Sequence, residues 1–276
     1  MIVSHQHRFI FLKSKKTAGT SVELALSGIC GPGDIITPLA QPEDERLRRG
    51  LSPQNWRRCT IGALARRRVA KVFDRSGKST KHIDYHGHIR AEKARGFLGG
   101  RVWNSYFKFT IERNPWDRQV SFWQFKTGKM HCEGMPFAEF LRHDCAKLSN
   151  SDIYLIDNKL AVNHVVRYEH LVSDLEVVLA HLGVKTKLDL PRAKGSYRKL
   201  GDYRVQYDEA TRDWVARTYR REIDLFGYSF EDPEPTRLDG KVLAARCPHG
   251  RNACTARQIQ RALNHTIGDV CCRGAE

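Results

Sequence analysis

Three short stretches of this 276-residue chain concentrate groups able to hold an anion or move a proton. Lys13-Ser14-Lys15-Lys16-Thr17-Ala18-Gly19-Thr20-Ser21 combines ammonium groups, hydroxyls and a glycine at which backbone can approach a ligand closely. It lacks the GxxxxGK[ST] spacing of a Walker A loop, which disfavours ATP hydrolysis. In Glu112-Arg113-Asn114-Pro115-Trp116-Asp117-Arg118, followed by Ser121, the guanidinium fork of Arg113 matches phosphate geometry. Tyr85-His86-Gly87-His88 supplies imidazoles that are neutral, and so basic, near pH 7. The bland alternatives are a plain connection for the first loop, surface charges for Arg113 and Arg118, and a packing role for one of the histidines.

These residues need elements to position them. Phe9–Leu12 is a short apolar run of strand formers, and Val22 onward begins a helix, so the first loop joins a strand to a helix. Backbone N–H groups and the dipole at such a helix start favour an anion. Tyr106–Glu112 alternates as a second core strand. Asn114 as N-cap, Pro115 at the first helical position and Asp117 in the first turn then open a helix running to about Lys126. Further strands are expected at Ile153–Ile156 and Val162–Arg167, and a short one at Val69–Phe73. Helices are expected over His170–Leu182, closed by Gly183, over Glu209–Phe226, ended by Gly227, and over Ala256–Leu263. Strands alternating with helices predict an α/β fold with a largely parallel sheet, whose ligands bind at the carboxyl ends of the strands. Two anion-ready turns in one such sheet suit a ligand with two separated phosphates.

Composition narrows the partner. Lys+Arg 47 against Asp+Glu 31 leaves a net charge of +16, with an isoelectric point near 9.7, so the partner is anionic. No apolar run is long enough to span a membrane, and the N-terminus lacks a signal peptide's apolar stretch, which predicts a cytoplasmic protein. Between Arg46 and Lys81 stand 12 Lys/Arg and one acid, Asp74, so this insert (about 40–81) is either a polyanion docking surface or a solvated segment. Its aromatics are sparse, which argues against base stacking and hence against a single-stranded nucleic acid as partner. Four of the eight cysteines (Cys247, Cys254, Cys271, Cys272) fall in the last 30 residues with no CxxC spacing; a tail over 233–276 of open role is expected, without a metal site.

The motifs together carry a family resemblance. KSKKTAGTS (13–21) resembles the 5′-phosphosulfate loop of sulfotransferases that use PAPS, 3′-phosphoadenosine 5′-phosphosulfate. ERNPWDRQVSFW (112–123) is similar to the 3′-phosphate motif of that superfamily, and VVRYEHLVSDLEVVLAHLG (165–183) and EIDLFGYSF (222–230) resemble its bacterial and carbohydrate-type branches. The likeness spans residues 8–231 in order, and weakens over 31–80. It implies a P-loop-like three-layer fold and a sulfotransferase domain over 1–232. It further implies transfer of a sulfuryl group from PAPS to a hydroxyl, leaving PAP, with no metal. The acceptor is expected to be a saccharide and an acidic one.

By this resemblance Lys13, Lys15, Lys16, Thr17, Ala18, Gly19, Thr20 and Ser21 hold the phosphosulfate. Lys16 also acts on the transferring group, and Arg113 with Ser121 holds the 3′-phosphate. Lys194, Ser196 and Arg198 would form a late basic loop over the nucleotide. The HGH motif is similar to that of uronyl 2-O-sulfotransferases, in which a histidine is the base; a single His before a helix matching Ala91–Leu98 in bacterial members favours His88 over His86. Glu112 departs from the apolar residue usual before the arginine and puts an acid beside a phosphate site. Arg167 and Glu169 are expected to form a structural ion pair, and Trp116, Phe122, Trp123 and Phe125 to pack in the core. A nucleotide kinase and a basic nucleic-acid-binding protein are the competing readings; the kinase lacks a Walker A and an evident Mg²⁺ carboxylate.

Overall fold

A computed structural model describes residues 1–39, 43–57, 85–127, 134–143, 146–185, 189–190 and 201–232. The expected strand Val69–Phe73, the helix Ala256–Leu263, most of the basic insert, the late loop with Lys194, Ser196 and Arg198, and the cysteine-rich tail lie outside them.

Five strands form the main sheet in the order β3-β1-β2-β4-β7. They are β1 (Ile2–Ser4), β2 (Phe9–Leu12), β3 (Ile35–Ile36), β4 (Phe107–Glu112) and β7 (His164–Arg167); β5 (Leu155–Ile156) and β6 (Lys159–Leu160) make a separate hairpin. β2, β4 and β7 run parallel, as an α/β chain requires, while β1 pairs antiparallel with both β2 and β3. The parallel centre was legible in the apolar runs. The antiparallel edge was not, because Ile2–Ser4 offers only three residues of pattern.

Period-two alternation assigns each strand residue to one of two cores. Phe9, Phe11, Phe107, Phe109, Ile111 and Val166 face α1 (Gly19–Ser27) and the helix Leu171–His181 on one side of the sheet. Ile10, Leu12 and Val165 face the helices of the other side, among them Pro115–Thr127. Phe11 stacks on Phe109 at 5.1 Å across the central parallel pair. Thr110 and Glu112 therefore fall on the second side of β4, an alternation that governs the site below.

Among the described residues the helices after α1 are, in chain order, α2 (Glu43–Arg48), α3 (Ala91–Ser105, kinked at Gly99), α4 (Pro115–Thr127), α5 (Phe137–Arg142), α6 (Ser151–Tyr154), α7 (Leu171–His181), α8 (Glu209–Thr218) and α9 (Arg220–Phe226). Asn114 caps α4 as its sequence predicts, its Oδ1 accepting from the Trp116 N–H at 3.0 Å. Gly183 (φ 70°) and Gly227 (φ 65°) end α7 and α9 in the left-handed conformation.

Two element expectations are corrected. Ile153–Ile156 is not one strand: the Ile153 N–H bonds the Asn150 carbonyl at 2.8 Å, which coils Ser151–Tyr154 into a helical turn and leaves only Leu155–Ile156 extended. Glu209–Phe226 is two helices, parted at Tyr219, a buried residue outside helical geometry (φ −113°, ψ 23°). Its hydroxyl accepts from the Leu148 N–H at 2.9 Å, so tertiary contact overrides helix continuity.

Candidate functional site

β2 and β4 end side by side, and the two anion-ready loops leave the sheet there. The first loop holds unusual backbone. Lys16 (φ 62°) and Ala18 (φ 58°) are both left-handed, conformations that persist only where surroundings impose them. Ala18 is the N-cap of α1, and the helix start has neither a side-chain cap nor an acidic residue in its first turn. The dipole and the first-turn N–H groups of α1 therefore offer a positive terminus to an anion.

Each part of the loop is anchored from a distant segment. The Ser14 hydroxyl donates to the Ile111 carbonyl and lies 2.7 Å from the Thr17 hydroxyl. Arg113 Nη1 donates to the Lys16 carbonyl at 3.1 Å, which brings the two strand-to-helix loops into contact. Arg113 is also held by Asp117 at 2.7 Å and lies over the Tyr168 ring at 4.0 Å. Lys16 Nζ sits 4.4 Å from the centre of the Phe125 ring on α4, one turn beyond Ser121, which is half-buried on the same helix.

The Lys13 side chain runs along the start of α1 and is engaged within the protein. Its ammonium pairs with the buried Glu23 carboxylate of α1. Burial pushes Glu23 up, but the neighbouring cations, the Met1 amino group and Lys13, outweigh it and bring the carboxyl down to about 2. The Lys13 stem fills the space over Gly19, where an added Cβ would lie 2.5 Å from Lys13 Cγ. Since that stem is clamped at its far end by Glu23, Gly19→Ala is expected to cost about 1–3 kcal/mol of overpacking strain. Urea unfolding checks this, and a loss below about 0.5 kcal/mol would show that Lys13 swings aside.

The histidine motif closes against the same loop. His88 Nδ1 lies 2.8 Å from the Lys13 carbonyl. A carbonyl only accepts, so Nδ1 carries the proton and Nε2 keeps its lone pair. Desolvation, then the Lys13 ammonium, press the His88 pKa well below the usual imidazole range, although the residue remains exposed at the surface. His86 is exposed too; desolvation lowers its pKa, followed by the charges of Lys93 and Lys15.

Five charged residues have different places from those expected. Glu112 is not an open acid beside the turn that follows β4. It lies on the second side of β4, fully buried, with Arg118 at 2.6 Å, the Arg113 N–H at 2.9 Å and the Tyr154 hydroxyl at 2.8 Å. Arg118 is equally buried and is not a surface charge; Glu222 is a second partner at 3.8 Å. Arg167 and Glu169 form no ion pair. Arg167 donates to the Phe226 carbonyl and lies over the Tyr228 ring, while Glu169 accepts from the Asn114 N–H at 2.7 Å. Within the basic insert, Arg46 is buried and donates to the Thr37 carbonyl at 2.9 Å, so it belongs to the core rather than to a docking surface.

Asn150 is the residue sequence reasoning missed. It is buried and pairs with both backbone groups of Lys15. Nothing in its local sequence signals this, since the partner lies 135 residues away.

Strand-to-helix turns of this kind at the carboxyl ends of parallel strands define a class of α/β proteins that hold phosphorylated nucleotides. Within that class, a model described as Sulfotransferase family matches residues 1–229, and the chain belongs to the sulfotransferase family. Membership implies a transferase with a nucleotide donor and a hydroxyl acceptor. The chain is also 26% identical over 113 residues to an uncharacterized protein of Archaeoglobus fulgidus, across 38% of this chain and 94% of that one. No solved structure matches it. Among the described residues, no helix is long and apolar enough to cross a membrane.

Proposed function

We propose that this protein is a cytoplasmic, PAPS-dependent O-sulfotransferase acting on a saccharide hydroxyl, with residues 1–232 as its catalytic domain. The observation that carries the reading is that His88 and Arg113 grip carbonyls of one loop, those of Lys13 and Lys16. In this reading a proton acceptor and a phosphate-binding fork are both tied to the loop that leads into α1.

In this reading Arg113 and Ser121 bind the 3′-phosphate, and the loop from Lys15 to Ser21 receives the 5′-phosphosulfate. His88 Nε2 takes the proton of the acceptor hydroxyl as its oxygen bonds to sulfur. The sulfur–oxygen bond to the 5′-phosphate breaks, and Lys16 with the first-turn N–H groups of α1 neutralises the charge that returns to that phosphate. Positioning and fixed charge dominate, as in phosphoryl transfer. Lys15 and Lys93, whose charges reach His86, favour an acidic acceptor.

Calorimetry with PAP and transfer of label from radioactive PAPS to a panel of saccharides, phenols and alcohols test the reading. Lys16→Ala and Arg113→Ala are each expected to weaken PAP binding roughly 10- to 100-fold, the worth of one charge-assisted hydrogen bond. Absence of both PAP binding and label transfer in the wild-type protein would refute the proposal.

A further inference from the structure

The donor loop bends through left-handed backbone at Lys16 and Ala18, and such backbone needs support from outside. Part of that support comes from Arg113 and His88, already placed in the site. The rest comes from a side chain with no assigned part. Asn150 Oδ1 accepts from the Lys15 N–H at 2.9 Å, and Asn150 Nδ2 donates to the Lys15 carbonyl at 3.1 Å. One amide thus serves both backbone groups of one residue, as a neighbouring strand would.

The consequence for the ligand follows from peptide geometry. A trans peptide unit points its C=O and its N–H in opposite directions. Holding the Lys15 carbonyl on Asn150 therefore aims the Lys16 N–H away from Asn150, and the grip of Arg113 on the Lys16 carbonyl orients the Thr17 N–H by the same rule. The amide is itself held: Asn150 is fully buried, and Glu112 Oε1 lies 3.4 Å from its Nδ2. Glu112 is fixed in turn by Arg118 and Tyr154.

We propose that Asn150 is a positioning residue for the sulfuryl donor, acting through the Lys15 peptide groups rather than by touching the nucleotide. The inference rests on the sulfotransferase reading above.

The test compares Asn150→Ala with Tyr154→Phe, which removes a hydrogen bond from the same buried web but leaves the Lys15 contacts in place. Asn150→Ala raises the Kd for PAP and the KM for PAPS by roughly tenfold or more, the loss of two neutral hydrogen bonds, and leaves the acceptor KM unchanged. Tyr154→Phe lowers Tm and moves neither donor constant. Equal donor constants in folded Asn150→Ala and wild type, or equal rises in both variants, would overturn the proposal and leave Asn150 a merely stabilising residue. Hydrogen exchange in the wild-type protein gives a readout that needs no variant: the Lys15 amide is expected to be protected, and exchange at the rate of an open loop overturns the proposal. Failure of the wild-type protein to bind PAP would instead remove the sulfotransferase reading, whatever the protection of Lys15.

Discussion

His88→Asn is expected to lower turnover by roughly 10²–10⁴-fold, the usual worth of a general base, while PAP affinity stays within about twofold of wild type. Asparagine is the informative replacement because its Nδ2–H can still donate to the Lys13 carbonyl, as His88 Nδ1 does at 2.8 Å, yet it has no basic nitrogen. Loop anchoring is thus separated from proton transfer. His88→Ala removes both and is expected to weaken PAP binding as well. Full turnover in His88→Asn, together with loss in His86→Ala, would move the base to His86.

The pH profile follows from the same geometry. Partial desolvation by the loop packed against it and the Lys13 ammonium disfavour imidazolium at His88, exposed as it is, so the neutral, basic form survives into acid below the ordinary value of 6.5. In kcat/KM, which reports the free enzyme, activity is expected to hold as pH falls through about 6.5 and to decline only further down. A bound, highly anionic donor stabilises imidazolium, so the acid limb of kcat should lie higher than that of kcat/KM. An acid limb in kcat/KM at or above about 6.5 would contradict the assignment.

The second large effect concerns stability. Glu112→Ala is expected to cost about 3–5 kcal/mol, because it strands the guanidinium of Arg118 in the core without its 2.6 Å partner. Glu222, at 3.8 Å, is too distant to replace it. The Tyr154 hydroxyl and the Arg113 N–H lose their acceptor in the same step. Urea unfolding measures the loss. The double variant Glu112→Leu/Arg118→Leu should recover much of it, since replacing a buried pair by apolar groups is often close to neutral. A loss under about 1 kcal/mol in Glu112→Ala would mean that water reaches Arg118, and that the pair is not the closed core contact its burial indicates.

The two predictions separate site from scaffold along β4. Its last residue, Glu112, points into the core, and the next, Arg113, serves the loop. A single step along an extended chain reverses the side chain's direction. The acid that the motif places beside Arg113 is thereby turned into the core, where Arg118 and Tyr154 hold it.

Much was legible from local chemistry. Apolar runs marked β2 and β4, the Asn114-Pro115 pair marked the start of α4, and Gly183 and Gly227 marked helix ends, because strand period, capping and left-handed glycine are properties of a few adjacent residues. The order of these elements with their Lys-, Arg- and His-bearing loops was enough to predict the α/β class and the family likeness. Tertiary structure alone decided the rest. It turned Lys13 onto Glu23, buried Arg46, broke the helix at Tyr219, set His88 on the Lys13 carbonyl across 75 residues, Arg113 on the Lys16 carbonyl across 97, and Asn150 on Lys15 across 135. Spacing along the chain reports what one helix turn or one strand can bring together. The direction of a buried charge is set by whichever partner the packed sheet delivers to it, and for the loop after β2 every such partner comes from another element.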